Sequence, residues 1–65
     1  MALKSKLKLI LIERGIKQYE FAEMTGISRS NINLIANGKQ EPSLENAMII
    51  AEALGLAVHN IWERV

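Results

Sequence analysis

The sequence predicts an all-α fold: five short helices in one small bundle, two of them joined as a helix-turn-helix. Three observations predict it. Apolar residues recur at helical spacing in every segment, and no alternation of period two is sustained. Glycines stand at 15, 26, 38 and 55, each just past an apolar-periodic run, where a helix ends. The 65 residues leave room for one core, so residues 1–65 are expected to form one domain.

The first helix is expected over residues 3–14, with Leu3, Leu7, Leu11 and Arg14 on one face and Ile10 beside it. The second runs over 18–25. Ile16 and Phe21 are spaced as a hydrophobic staple around Lys17, a poor capping residue, and Glu20 sits at the third helical position. The third runs over 29–37 from a Ser28 N-cap, with Ile27 and Ile32 repeating the staple spacing. The fourth runs over 44–54, after Pro42 and a Ser43 cap, with Leu44, Ala47, Ile50, Ala51 and Leu54 as its inward stripe. The fifth, 58–64, carries Val58, Ile61, Trp62 and Val65. It starts from Ala57, which has no side-chain acceptor, so its start should fray.

Composition narrows the function. There is no cysteine and no aspartate, and the single histidine, His59, has no partner ligands, so a metal site is not expected. No nucleophile–base pair and no Gly-rich phosphate loop can be assembled, so the chain is not read as an enzyme and no cofactor is expected. "LKLILI" is far short of the ~20 residues that span a bilayer, and a signal peptide would leave too little mature chain. A cytoplasmic protein without membrane contact is the expectation. The net charge of +1 hides an asymmetry: residues 1–40 hold seven Lys/Arg against three Glu, and residues 41–65 hold one Arg against four Glu. A basic half can meet a polyanion, although a solvated mixed surface explains the charges as well.

The second and third helices are separated by Thr25-Gly26-Ile27. Ala22 is small where the helices must approach, Gly26 permits positive φ, and Phe21, Ile27, Ile32 and Ile35 can bury the junction. Thr25 departs from the larger apolar residue usual there. Turning the third helix by about 100° per residue points Ile32, Ile35 and Ala36 inward and Ser30, Asn33, Leu34 and Asn37 outward, with Arg29 at the edge. That rim is nearly free of Glu and Lys. Arg pairs with guanine N7/O6 and Asn with adenine N6/N7. Leu34 has two readings: an isolated surface leucine, or a contact to a thymine methyl.

The stretch "GIKQYEFAEMTGISRSNINLIANGKQEPSLENAMIIAEALGL" resembles the Cro/CI-type (XRE) helix-turn-helix family of phage and bacterial regulators. Gln18, Phe21-Ala22, Gly26-Ile27-Ser28, Ile32, Asn37-Gly38-Lys39, Pro42-Ser43-Leu44 and the Ala51/Leu54 stripe carry the resemblance, which covers about two thirds of the chain. It implies a lambda-repressor-like bundle whose third helix is the recognition helix. Arg29, Ser30 and Leu34 then fall where relatives contact bases, and Asn33 is a base-edge or phosphate contact. Gln18 falls on a phosphate and on a neighbouring recognition residue, and Asn37 with the backbone of Gly38 and Lys39 on a phosphate. The Tyr19 hydroxyl can reach a phosphate, or Tyr19 is a half-exposed helix residue. Many relatives pair a buried Arg with a Glu where this chain has Leu11 and Ala36; an apolar pair there should leave a more hydrophobic core and an intact fold.

The function expected is sequence-specific binding of double-stranded DNA by a transcriptional regulator, a repressor acting as a homodimer on a palindromic operator. Leu56, Ile61, Trp62 and Val65 are candidates for the dimer interface, with core packing as the other reading of Trp62. Lys4, Lys6 and Lys8 form a solvated face or approach flanking phosphate. The alternative is a protein-interaction module, an antitoxin or antirepressor on the same scaffold, suggested by the outward-facing Leu9, Ile12, Leu34 and Ile49, which otherwise read as scattered surface apolars. RNA binding ranks below both, because Tyr19, Phe21 and Trp62 form no stacking platform.

Overall fold

The computed structural model describes residues 3–65, so positions 1 and 2 of the expected domain lie outside the described residues. In chain order the elements are β1 (Leu3–Ser5), α1 (Leu7–Glu13), α2 (Gln18–Thr25), α3 (Arg29–Ala36), α4 (Leu44–Leu54), α5 (Val58–Ile61) and β2 (Trp62–Arg64). Five helices are present among the described residues, but the fold is not strictly all-α: β1 and β2 pair antiparallel, with Leu3 opposite Arg64, Lys4 opposite Glu63 and Ser5 opposite Trp62.

That sheet corrects the expected first and fifth helices at their outer ends. The Leu3-Leu7-Leu11 periodicity is broken between Leu3 and Leu7, because residues 3–5 find a strand partner at the other end of the chain. Leu3 is exposed, whereas Leu7 and Leu11 are sealed in the core. The Lys6 N–H donates to the Ile61 carbonyl at 2.8 Å, continuing the ladder into the α1 entry. α5 is a single turn. Ala57 offers no side-chain acceptor, and the turn is held from inside instead: the Asn60 side-chain oxygen accepts from the Ala57 N–H at 3.2 Å, and the Asn60 N–H donates to the Ala57 carbonyl at 3.0 Å. At Trp62 the chain swings to φ −122, ψ 133 and becomes strand.

The other boundaries follow local chemistry. Ser28 and Ser43 hydroxyls accept from the Asn31 and Asn46 amides at 3.2 and 3.1 Å, capping α3 and α4. Glu20 Oε1 accepts from the Lys17 N–H at 2.9 Å, so the poorly capped start of α2 is held from inside the helix. α3 closes in a Schellman arrangement: the Gly38 N–H donates to Ile35 O and the Lys39 N–H to Leu34 O, with Gly38 at φ 73.

All four long helices and α5 contribute to one core. Phe21, Leu7, Leu11, Ile32, Ile35, Ile50 and Ile61 are its largest fully buried side chains, and Trp62 joins them. Leu11 and Ala36 are both buried, and no polar or charged residue is buried among those described. Arg14 is exposed, but its guanidinium donates to the Leu54 carbonyl at 2.7 Å, tying the end of α1 to the end of α4. Leu44 departs from the expected stripe. It is 76% exposed, because it opens α4 on the flank it shares with the exposed Met48. Ile49, expected outside, packs partly against the core, while Leu9 and Ile12 stay exposed.

Candidate nucleic-acid interface

α2 and α3 form the helix-turn-helix. α2 ends at Gly26, whose φ of 74 turns the chain while its N–H still donates to Ala22 O at 2.9 Å. Thr25 shapes the same turn: its hydroxyl donates to Phe21 O at 2.9 Å and accepts from the Ile27 N–H at 3.3 Å. A larger apolar residue cannot make those bonds, which accounts for the threonine. Phe21, Ala22, Ile27, Ile32 and Ile35 are all buried at the junction, so the facing rim of α3 is fixed by a packed surface beneath it.

On that rim Arg29, Ser30 and Asn33 are exposed and Leu34 is half-buried. These four line one open concavity of about 620 Å³ together with Gln18 and Tyr19 from the start of α2. Two contacts organise it. Asn33 Nδ2 donates to Gln18 Oε1 at 3.1 Å, bridging the two helices. The Tyr19 ring lies 5.6 Å from the Arg29 guanidinium carbon and 5.8 Å from Lys17 Nζ, both within cation–π range. Helical periodicity alone does not reveal the Tyr19–Arg29 contact; the signal for it is an aromatic and an arginine each at the opening of one helix of the pair.

Asn37, Gly38 and Lys39 lie exposed at the far end of α3. The Gly38 and Lys39 amides both bond inside the turn, so only the side chains of Asn37 and Lys39 are left to reach outward. Of the residues considered for a dimer interface, Ile61 and Trp62 belong to the chain's own core. Leu56 packs partly against it, and Val65 is open to solvent. No described helix is long and apolar enough to cross a membrane.

Comparison with known proteins agrees with this geometry. The helix-turn-helix family matches residues 7–59, which spans α1 into α5 and leaves both strands outside. The chain is 35% identical over 60 residues to an uncharacterized HTH-type transcriptional regulator of Methanocaldococcus jannaschii, covering 92% of this chain and 91% of that protein. Its fold is similar to the crystal structure of the restriction-modification controller protein C.AhdI from Aeromonas hydrophila, with TM-score 0.76 and 26% identity over 83% of this chain and 82% of that one. A candidate DNA-binding protein from Bacteroides fragilis has the same fold, with TM-score 0.82 at 24% identity over 94% of this chain and 98% of that one. The chain belongs to the Cro/CI-type helix-turn-helix DNA-binding family.

Proposed function

We propose that this protein is a transcriptional regulator that binds double-stranded DNA sequence-specifically, with α3 in the major groove. The observation that carries this reading is the concave rim where Arg29, Ser30, Asn33 and Leu34 meet Gln18 and Tyr19. Arg29 reads guanine, Asn33 reads an adenine edge, Ser30 donates or accepts, and Leu34 packs on a thymine methyl. Gln18, the Tyr19 hydroxyl, Asn37 and Lys39 hold phosphates, and Gly38 turns the chain so that its neighbours can do so. The protein acts by binding rather than catalysis, in the cytoplasm.

One eight-residue helix reads few base pairs. A homodimer on a palindrome, with half-sites about 34 Å apart or a multiple of it, supplies the remaining specificity, and occupancy of such an operator represses. With Ile61 and Trp62 inside the monomer, Leu56 and Val65 are left to contribute to that interface. The test compares two variants by titration on a preferred duplex and on unrelated duplexes. Arg29→Ala is expected to lose about 1–3 kcal/mol and relax preference at one base pair; Lys39→Ala is expected to weaken all duplexes alike and lower the salt slope by about one. Unchanged preference in Arg29→Ala would remove Arg29 from base reading.

A second reading, an interaction module whose main partner is a protein, rests on Leu9 and Ile12, which stay 57% and 65% exposed on α1. Loss of a captured partner on Leu9→Ser, with duplex binding intact, would favour it.

A further inference from the structure

We propose that Tyr19 is a positioning residue for Arg29: its ring holds the guanidinium at the groove-facing rim before DNA arrives, and so sets preference at the base pair that Arg29 reads. The inference rests on α3 being the recognition helix. Arg29 is the first residue of α3, exposed and at the edge of the helix face. Left to itself, such a side chain samples many rotamers, and ordering it on binding opposes affinity. Ser30, Asn33 and Leu34 have no such freedom, being shorter and, for Asn33, tied to Gln18 at 3.1 Å. Arg29 is therefore the rim residue that most needs a support.

Tyr19 supplies it. Tyr19 is the second residue of α2, and α2 packs against α3 through buried Phe21, Ala22 and Ile32, so the backbone that carries the ring is fixed relative to the one that carries Arg29. The guanidinium carbon is 5.6 Å from the ring centroid, and both residues line the same concavity as Ser30, Asn33 and Leu34. A guanidinium held by an aromatic ring keeps its N–H donors free for a guanine edge, because the attraction uses the cation's charge and not its hydrogen bonds. Lys17 Nζ lies 5.8 Å from the same ring. Lysine carries no planar fork, so replacing Arg29 with lysine does not restore the arrangement. This role belongs to the ring and is separable from a phosphate bond through the hydroxyl.

The separation defines the experiment. Wild type, Tyr19→Phe, Tyr19→Leu, Arg29→Ala and Tyr19→Leu/Arg29→Ala are each selected on random duplexes, and relative affinities are then measured for the winner and its single-base variants. Tyr19 is largely surface, so all five should fold, and thermal melting checks it. In free wild type, the Arg29 side-chain NMR signals should carry a ring-current shift that survives in Tyr19→Phe and vanishes in Tyr19→Leu. Tyr19→Leu should lose about two- to fivefold of the discrimination at one base pair, Tyr19→Phe should keep it, and Tyr19→Leu should change nothing further once Arg29 is alanine. Equal loss in Tyr19→Phe and Tyr19→Leu, or a Tyr19→Leu effect that persists without Arg29, overturns the proposal. So does the absence of the ring-current shift. Wild type that enriches no sequence overturns the recognition-helix reading itself, and the positioning role with it.

Discussion

At the scale of single residues, this protein's geometry turns on where one backbone angle is allowed. Gly26 must hold φ 74 for α3 to lie across α2, and a Cβ added there would meet nothing within 4 Å. Space is therefore no obstacle, and the left-handed angle alone opposes a side chain. Gly26→Ala should cost about 1–2 kcal/mol of stability, and Gly26→Asn less, by denaturant titration. A loss well above that range would mean a clash that the open surroundings do not contain. Which α3 side chains face the core and which face outward is legible at this scale, because those positions follow from helical periodicity alone. What periodicity cannot give is which neighbour a side chain leans on. The Tyr19–Arg29 contact depends on the relative placement of two helices, and the bonds inside the Asn37–Lys39 turn depend on how that turn closes.

Among the elements, the helices were legible from their ends and the strands were not. Ser28, Ser43 and the glycines mark boundaries locally, and α2 and α4 run over the residues expected of them. β1 and β2 are three residues each, lie at opposite ends of the chain, and show no alternation long enough to detect; only their pairing makes them strands. The same pairing holds Trp62 inward, which explains why a residue with two sequence readings resolves as core. The clamp carries one ion pair, Lys6 with Glu63. The hydrogen bond from the Lys6 ammonium, followed by its charge, holds the Glu63 carboxyl below its ordinary value of 4.5. A carboxyl whose pKa is lower folded than unfolded favours the fold while ionised. The contribution is therefore complete above about pH 4.5 and is lost as pH falls through the folded value. Glu63 is exposed, so the effect is small and local, and it should be read at the clamp. Protection of the Lys6 amide from hydrogen exchange should fall as pH drops below that value and lose this dependence in Glu63→Gln. A Glu63→Gln protein with the same pH profile as wild type would remove the pair from the clamp.

At the scale of the whole molecule, the α3 rim with Arg29 opens into one concavity with the start of α2, and β1 pairs with β2, with β1 lying beside the Asn37–Gly38 end of α3. With a formal charge of only +1, attraction to DNA has to come from placement: seven of eight Lys/Arg lie in residues 1–40, and four of seven Glu lie beyond. A chain of 65 residues buries a modest share of its surface, and in the proposed homodimer a second copy would add both stability and a second recognition helix. The most direct measurement of the account is selection of bound duplexes from a random pool by the wild-type protein. The predicted result is a palindrome whose half-sites recur at about one helical turn or a multiple, with guanine enriched at one position per half-site that relaxes in Arg29→Ala. A pool that emerges without sequence enrichment, from protein shown to be folded, would contradict α3 as a reader of bases.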